Sequence, residues 1–328
     1  MSTAGFCVIA FMLTAYVLLD GFDLGVAVIA PLVGRDERER GAAMASIGPF
    51  WNGNEVWLIA GGAALFALFP RAYASSFSGF YLPFIIVLWL LMFRGMSLEL
   101  RHHFPSRIWR EFWDAAFTVA SALLIFIFGV ALGNVLRGFP LDAAGYFRGT
   151  FGYLLNPYAL LVGVFALGVL GLHGATFAAM RIEGAPGDRA RRLSSQFFWI
   201  VAALFVAVTV ATFGVRGTPG APIVALLGVL SVAALAALAV ALRRASAPGA
   251  FAASSAFIGA LMASAATAIY PFLLPAVAGS TGGMTIFDAA PSSAALACAL
   301  VVTILGSIAV VTYGSFVWRR MGGKVSVD

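Results

Sequence analysis

A few residues of this chain carry groups able to hold a proton or an ion from inside stretches that otherwise read as lipid-embedded helix. Asp20 and Asp23 stand in LDGFDLG, Asn52, Asn54 and Glu55 in PFWNGNEVWLIAGG, Arg94 in LLMFRGMS, and His173 in GLHGAT. On a helix, residues three apart lie about 60° apart and share a face, so Asp20 pairs with Asp23 and Asn52 with Glu55, while Trp51 lies one turn from Glu55. An ionised Glu facing hydrocarbon costs about 2.5 kcal/mol or more, so Glu55 faces protein, water or the headgroup layer. Two carboxyl groups as close as Asp20 and Asp23 in a low dielectric call for a compensating Arg or water. Their expected role is proton carriage or ion binding. The plainer alternative is that they cap a kink at Gly21 and pair with an Arg for structure alone. Arg94 is the natural partner, unless it snorkels to the interface. His173 either relays a proton or hydrogen-bonds to another helix. Trp57, Trp89, Trp113, Trp199 and Trp318 fall near expected span ends, the pattern of an aromatic belt.

The elements that must position these groups follow from composition. Of 328 residues 62% are hydrophobic and 10% charged, and the mean hydropathy of +0.98 lies far outside the range of soluble domains. Long apolar runs, without the alternation of barrel strands, predict an all-α integral membrane protein. Nine spans are expected, roughly 4–33, 50–70, 74–98, 111–136, 157–180, 196–215, 221–242, 251–274 and 294–318, in one polytopic membrane domain over 1–328. The seventh, with nothing more polar than Ser231, reads as peripheral or scaffolding. Gly21 and Gly25 form GxxxG, and Gly163, Gly168, Gly171 and Gly174 recur in the fifth span, as close helix packing in lipid requires.

Sixteen of the twenty basic residues fall in alternate connections and the C-terminal tail, which leaves Arg71, Arg137, Arg148 and Arg216 on the other side. The positive-inside rule then places the N-terminus outside and the C-terminus in the cytoplasm. It also accounts for the net charge of +6 without nucleic acid. The first segment reads as a retained span, not a signal peptide. GRDERERG at 34–41 reads as a solvated helix end or turn, RIEGAPGDRARR at 181–192 as a connection, and 275–291 as an ordered outer loop with Asp288 near its end. Asn134 and Asn156 fit caps or turns.

Cys7 and Cys298 sit in apolar segments, and neither zinc spacing nor a c-type haem attachment motif is present. His102 and His103 adjoin in a charged loop while His173 stands alone, so no bis-histidine haem can be assembled from these spans. A secondary transporter moving protons or cations through the acidic first and second helices is the rival from another class, although no convincing sequence repeat supports it.

LDGFDLG at 19–25, PFWNGNEVWLIAGGAALFA at 49–67, FSGFYLP at 77–83, FGVALGN at 128–134, LLNPYALL at 154–161, HGATFAAMR at 173–181, YPFLLP at 270–275 and the FDA at 287–289 occur in that order. In this the chain resembles subunit II of cytochrome bd ubiquinol oxidase over nearly its whole length. The resemblance implies nine helices, as two four-helix bundles plus a peripheral helix, in a bacterial inner-membrane heterodimer with subunit I. It implies that subunit I carries the b and d haems and the quinol-oxidising loop, and that the complex reduces oxygen to water with cytoplasmic protons. Small single-span subunits, lipid and a structural quinone in subunit II accompany some relatives. The resemblance further implies a proton-delivering acid at position 52. Here that residue is Asn52, and an amide does not hold and release a proton near neutral pH. Either Glu55 substitutes, or the path runs chiefly through subunit I. Asp20 and Asp23 join Glu55 and Asn52 as path candidates. Arg94, His173, Trp51, Asn54 and Trp57 are expected to balance charge or join helices. No catalytic residue and no metal ligand is expected in the chain itself.

Overall fold

The computed structural model describes residues 1–216, 222–277 and 282–327. The long first apolar run forms α1 (Ser2–Val33), and Pro31 falls near its end. Asp36 then caps a short helix, α2 (Glu37–Ile47), its carboxylate accepting from the Glu39 amide. After α2 come α3 (Trp51–Leu68), α4 (Pro70–Gly79), with its proline in the first turn, α5 (Tyr81–Leu100) and α6 (Arg107–Arg137). A one-turn helix, α7 (Phe151–Leu154), leads to Asn156, which caps α8 (Pro157–Arg181). The remaining helices are α9 (Gly184–Arg216), α10 (Pro222–Arg243), α11 (Ala247–Ile269) and α12 (Ser293–Met321). A small antiparallel pair, β1 (Phe272–Leu274) and β2 (Met284–Thr285), joins the last two.

Among the described residues, eight helices are long and apolar enough to cross a membrane: α1, α5, α6 and α8 to α12. The expected second span is α3, whose first turn, WNGNE, makes it too polar to qualify by composition. It nevertheless makes a traverse. Arg101, at the end of α5, donates to the Glu37 carbonyl, so α5 ends on the face where α1 ends. The chain must therefore return to the opposite face between α2 and α5. The 18 residues of α3, about 27 Å of helix, span that distance.

The helices form two groups of four. The first holds α1, α3, α5 and α6, the second α8 to α11, and they join where α8 packs against α1 and α6. Glycine makes both junctions. A Cβ on Gly25 would strike the Leu170 carbonyl and the Gly174 backbone, and one on Gly129 would come within 2.7 Å of the Gly163 Cα. The expected peripheral seventh span is α10, whose Ala221 boundary lies outside the described residues. It packs along α11 and buries Ser231 and Leu238. The helix outside both groups is instead α12, which rests on α3 and α1.

Two connections and one span depart from expectation, while the 275–291 loop is ordered as expected around Asp288. The 34–41 segment is mostly helix, because its charges have partners: Glu39 meets Arg189 at 2.5 Å, Glu37 meets Arg110 at 2.9 Å, and Arg40 joins Arg101 on Asp114. The 181–192 segment is helical from Gly184, which extends α9 twelve residues before its expected start. The expected third span is divided, with α4 lying before α5. The 275–291 loop contains β2 and a turn in which Thr285 donates to Asp288 at 2.5 Å, while 278–281 lie outside the described residues.

Candidate functional site

The acids of α1 meet the polar turn of α3 and the arginine of α5 inside the first group of helices. Asp20, Asp23 and Arg94 are completely buried. Arg94 grips Asp20 with two hydrogen bonds, Nη2 to Oδ1 at 2.6 Å and Nη1 to Oδ2 at 3.1 Å, the fork geometry that favours Arg over Lys. Its Nη1 also lies 3.7 Å from Glu55 Oε2. Asn54 reaches over from α3 and donates to Asp23 Oδ2 at 2.8 Å and to the Leu19 carbonyl at 3.1 Å. The other oxygen of Asp23, Oδ1, is buried without a protein hydrogen-bond partner among the described residues.

Three carboxyl groups thus surround one guanidinium. If all were ionised the site would carry two uncompensated negative charges in a low-dielectric interior, an arrangement relieved by a bound proton. Glu55 is the outer member, its side chain 18% exposed, whereas Asp20 and Arg94 have no exposure. Glu55 is thus the member of the cluster nearest the surface, with the aspartates behind it.

Several expectations need correction at this point. Asn52 is exposed on α3 and stays out of the cluster, since three residues of separation put it near Glu55 but on the outer flank. The amide that enters is Asn54. Trp57 belongs to no interfacial belt: it is buried seven residues into α3 and meets Phe11 edge-on with centroids 5.7 Å apart. Trp113 is buried as well, whereas Trp89 and Trp199 are exposed. Trp51, half-buried, lies against Gly95 beside Arg94.

His173 lies on the far side of α1 and touches none of the acids. Its Nε2 is 3.0 Å from the Leu18 carbonyl and its Nδ1 2.8 Å from Ser254 Oγ of α11. The ring stacks on Phe251 at 4.9 Å. Both ring nitrogens are engaged, so the imidazole does not fit haem ligation. Asn134 and Asn156 act as expected of turn residues: Asn156 donates to Asn134 Oδ1, and Asn134 donates to the Leu154 carbonyl. Tyr16, buried one turn before Asp20 on the same face, was not singled out by the sequence, although its spacing of four residues was the available signal.

Comparison with known proteins places this geometry in a family. Residues 1–321 match the model of cytochrome bd terminal oxidase subunit II. The chain belongs to that family. Among curated relatives it is similar to the cytochrome bd-I ubiquinol oxidase subunit 2 of Escherichia coli strain K12, with 40% identity over 62% of this chain and 54% of the relative. The cytochrome bd ubiquinol oxidase subunit 2 of Bacillus subtilis is 36% identical over 62% of this chain and 59% of its own length. The chain therefore spans little more than half the length of the curated relatives it matches. The fold matches a chain of the bd oxidase structure from Geobacillus thermodenitrificans with a TM-score of 0.81 over 97% of both chains, at 18% identity. The subunit II family and the apolar helices together make the chain a multi-pass membrane protein.

Proposed function

We propose that this chain is the haem-free half of a bd-type quinol:oxygen oxidoreductase. In this reading it pairs with a haem-bearing subunit I in the inner membrane, N-terminus outside, and its acid cluster holds protons on their way from the cytoplasm to that subunit. Any quinone, lipid or small single-span subunit joins as an accessory. The observation that carries the reading is the excess of carboxyl groups over guanidinium in the buried site, with Asp23 Oδ1 left unpartnered. A scaffold needs charge balance and gains nothing from a surplus of acids.

The haem-free assignment is supported by the imidazoles. His102 and His103 are exposed beyond the end of α5, and His173 is committed at both nitrogens. Haem supplies oxygen chemistry in the partner, and the residues here hold and orient protons. Glu55 takes the role that Asn52 cannot fill, since an amide has no proton to exchange near neutral pH.

The test is Glu55→Gln in the purified complex. Turnover per haem is expected to fall at least about tenfold, the lower range for loss of a proton-transferring group. Haem content and yield should stay near the unmodified level. A parallel loss of assembled complex and activity would make Glu55 structural.

A further inference from the structure

We propose that His173 is a positioning residue that fixes the rotation of α1 and thereby the aim of Asp20 and Asp23. This rests on the reading of the cluster as a proton-holding site.

The first observation is that consecutive carbonyls of α1 are taken from opposite sides. The Leu18 carbonyl lies 3.0 Å from His173 Nε2 of α8, and the Leu19 carbonyl accepts from Asn54 of α3 at 3.1 Å. A carbonyl only accepts, so Nε2 carries the proton and donates. Successive carbonyls in a helix point about 100° apart, so two donors on adjacent carbonyls resist rotation in both senses. They act within the turn that precedes Asp20 and Asp23.

The second observation is that His173 is itself held. Ser254 Oγ, 2.8 Å from Nδ1, ties it to α11, Phe251 stacks on one face, and Phe22 of α1 stands edge-on at 6.2 Å. Next to it, Gly174 is in backbone contact with Gly25, so α8 cannot approach α1 more closely. The glycines set the distance between the helices and leave rotation open. The imidazole supplies the missing restraint.

The third observation is the demand at the other end. The two-pronged grip of Arg94 on Asp20 at 2.6 and 3.1 Å needs both oxygens in register. A small rotation of α1 would convert it into a single contact and carry Asp23 away from Asn54.

His173 does not serve as a relay in this scheme. Between it and Asp23 stand two backbone carbonyls and the amide of Asn54, none of which passes a proton onward. What is transmitted is orientation.

The test uses the complete oxidase complex with three substitutions, His173→Phe, His173→Gln and Ser254→Ala, reading turnover per haem and haem content. Phe keeps the stacked ring and removes the donor. It should lower turnover per haem about tenfold with haem content retained, as small misplacements of reacting groups do. Gln restores an N–H at nearly the same reach and should return turnover to within about twofold of the unmodified complex. Ser254→Ala, which leaves the imidazole in place but untethered, should lose about threefold and covers the case in which the Phe variant does not accumulate.

Unchanged turnover in His173→Phe, or in Ser254→Ala where the Phe variant is not obtained, overturns the proposal. Equal loss in Gln and Phe would assign a relay instead, and loss of haem in proportion to turnover would leave only packing. Asp23→Asn and Glu55→Gln serve as controls. If both keep full turnover, the proton-holding reading fails and takes this inference with it. If both lose turnover while His173→Phe does not, only the positioning role fails.

Discussion

Arg94 and Asp20 are not equivalent members of their pair. Removing Arg94 leaves Asp20 buried with no cation, together with Asp23 and Glu55, whereas removing the charge of Asp20 leaves Arg94 with Glu55 at 3.7 Å. Breaking a buried pair costs about 3–5 kcal/mol when the remaining charge is uncompensated. Arg94→Gln should therefore destabilise the folded chain by about 3 kcal/mol or more, and Asp20→Asn by less than half of that. Thermal melting of the complex in detergent, followed by haem absorbance, measures both. Asp20→Asn melting lower than Arg94→Gln would reverse the assignment of which group the site depends on. The residue types and their spacing made this cluster legible in the sequence, because buried acids in lipid need a cation and Arg94 was the one within a span. Which amide would join it was not legible: Asn52 and Asn54 sit on different flanks of α3, and only the docking of α3 on α1 selects Asn54.

At the scale of elements, the closest helix crossings depend on absent side chains. Gly174→Ala would place a methyl group in the backbone of α1 at Gly25 and Val26, whereas Gly62 on α3 has open space in the same direction. Gly174→Ala should abolish accumulation of the chain and Gly62→Ala should leave it unchanged, as membrane immunoblots can show. The short helix α2 offers a pH test. Glu39 is held below the usual carboxylate range by the Arg189 guanidinium and then by the Arg35 amide. A depressed folded value stabilises the docked helix above the ordinary Glu value of about 4.3. That contribution is lost as pH falls through the folded value. Hydrogen-exchange protection factors in 37–47, which discount the intrinsic pH dependence of exchange, should accordingly fall on acidification below about pH 4, and Glu39→Gln should remove most of that dependence. The long spans were readable from hydropathy, whereas α2 was not. Its stability comes from Arg189, Arg110, Arg101 and Asp114, which lie far along the chain and are recognisable as partners only once folded. Trp57 was misplaced for the same reason: an aromatic near an expected span end is interfacial only if no neighbouring helix covers it, and Phe11 does.

For the whole molecule, the charges and the helix directions give one arrangement. Arg101, Arg107, Arg110 and Arg189 gather with Asp114, Glu111, Glu37 and Glu39 at the end where α1, α5 and α8 finish. The C-terminal tail docks there too, Val325 pairing with the backbone at Arg181 and Glu183. At the opposite end Arg71 donates to the Asp288 carbonyl and Arg148 pairs with Asp142. Among the described residues this segregation leaves one choice of orientation, and the reading proposed above puts the basic end in the cytoplasm. Single cysteines decide it. With Cys7 and Cys298 replaced by Ser, Arg148→Cys and Arg107→Cys mark the two ends at side chains 73% and 84% exposed. A membrane-impermeant maleimide added to intact cells whose outer membrane is permeable to it should label position 148 at once and position 107 only after the inner membrane is opened. Labelling of 107 in intact cells would invert the molecule. It would also place the docked tail and α2 outside and remove the cytoplasmic approach that the proposed proton entry through Glu55 requires.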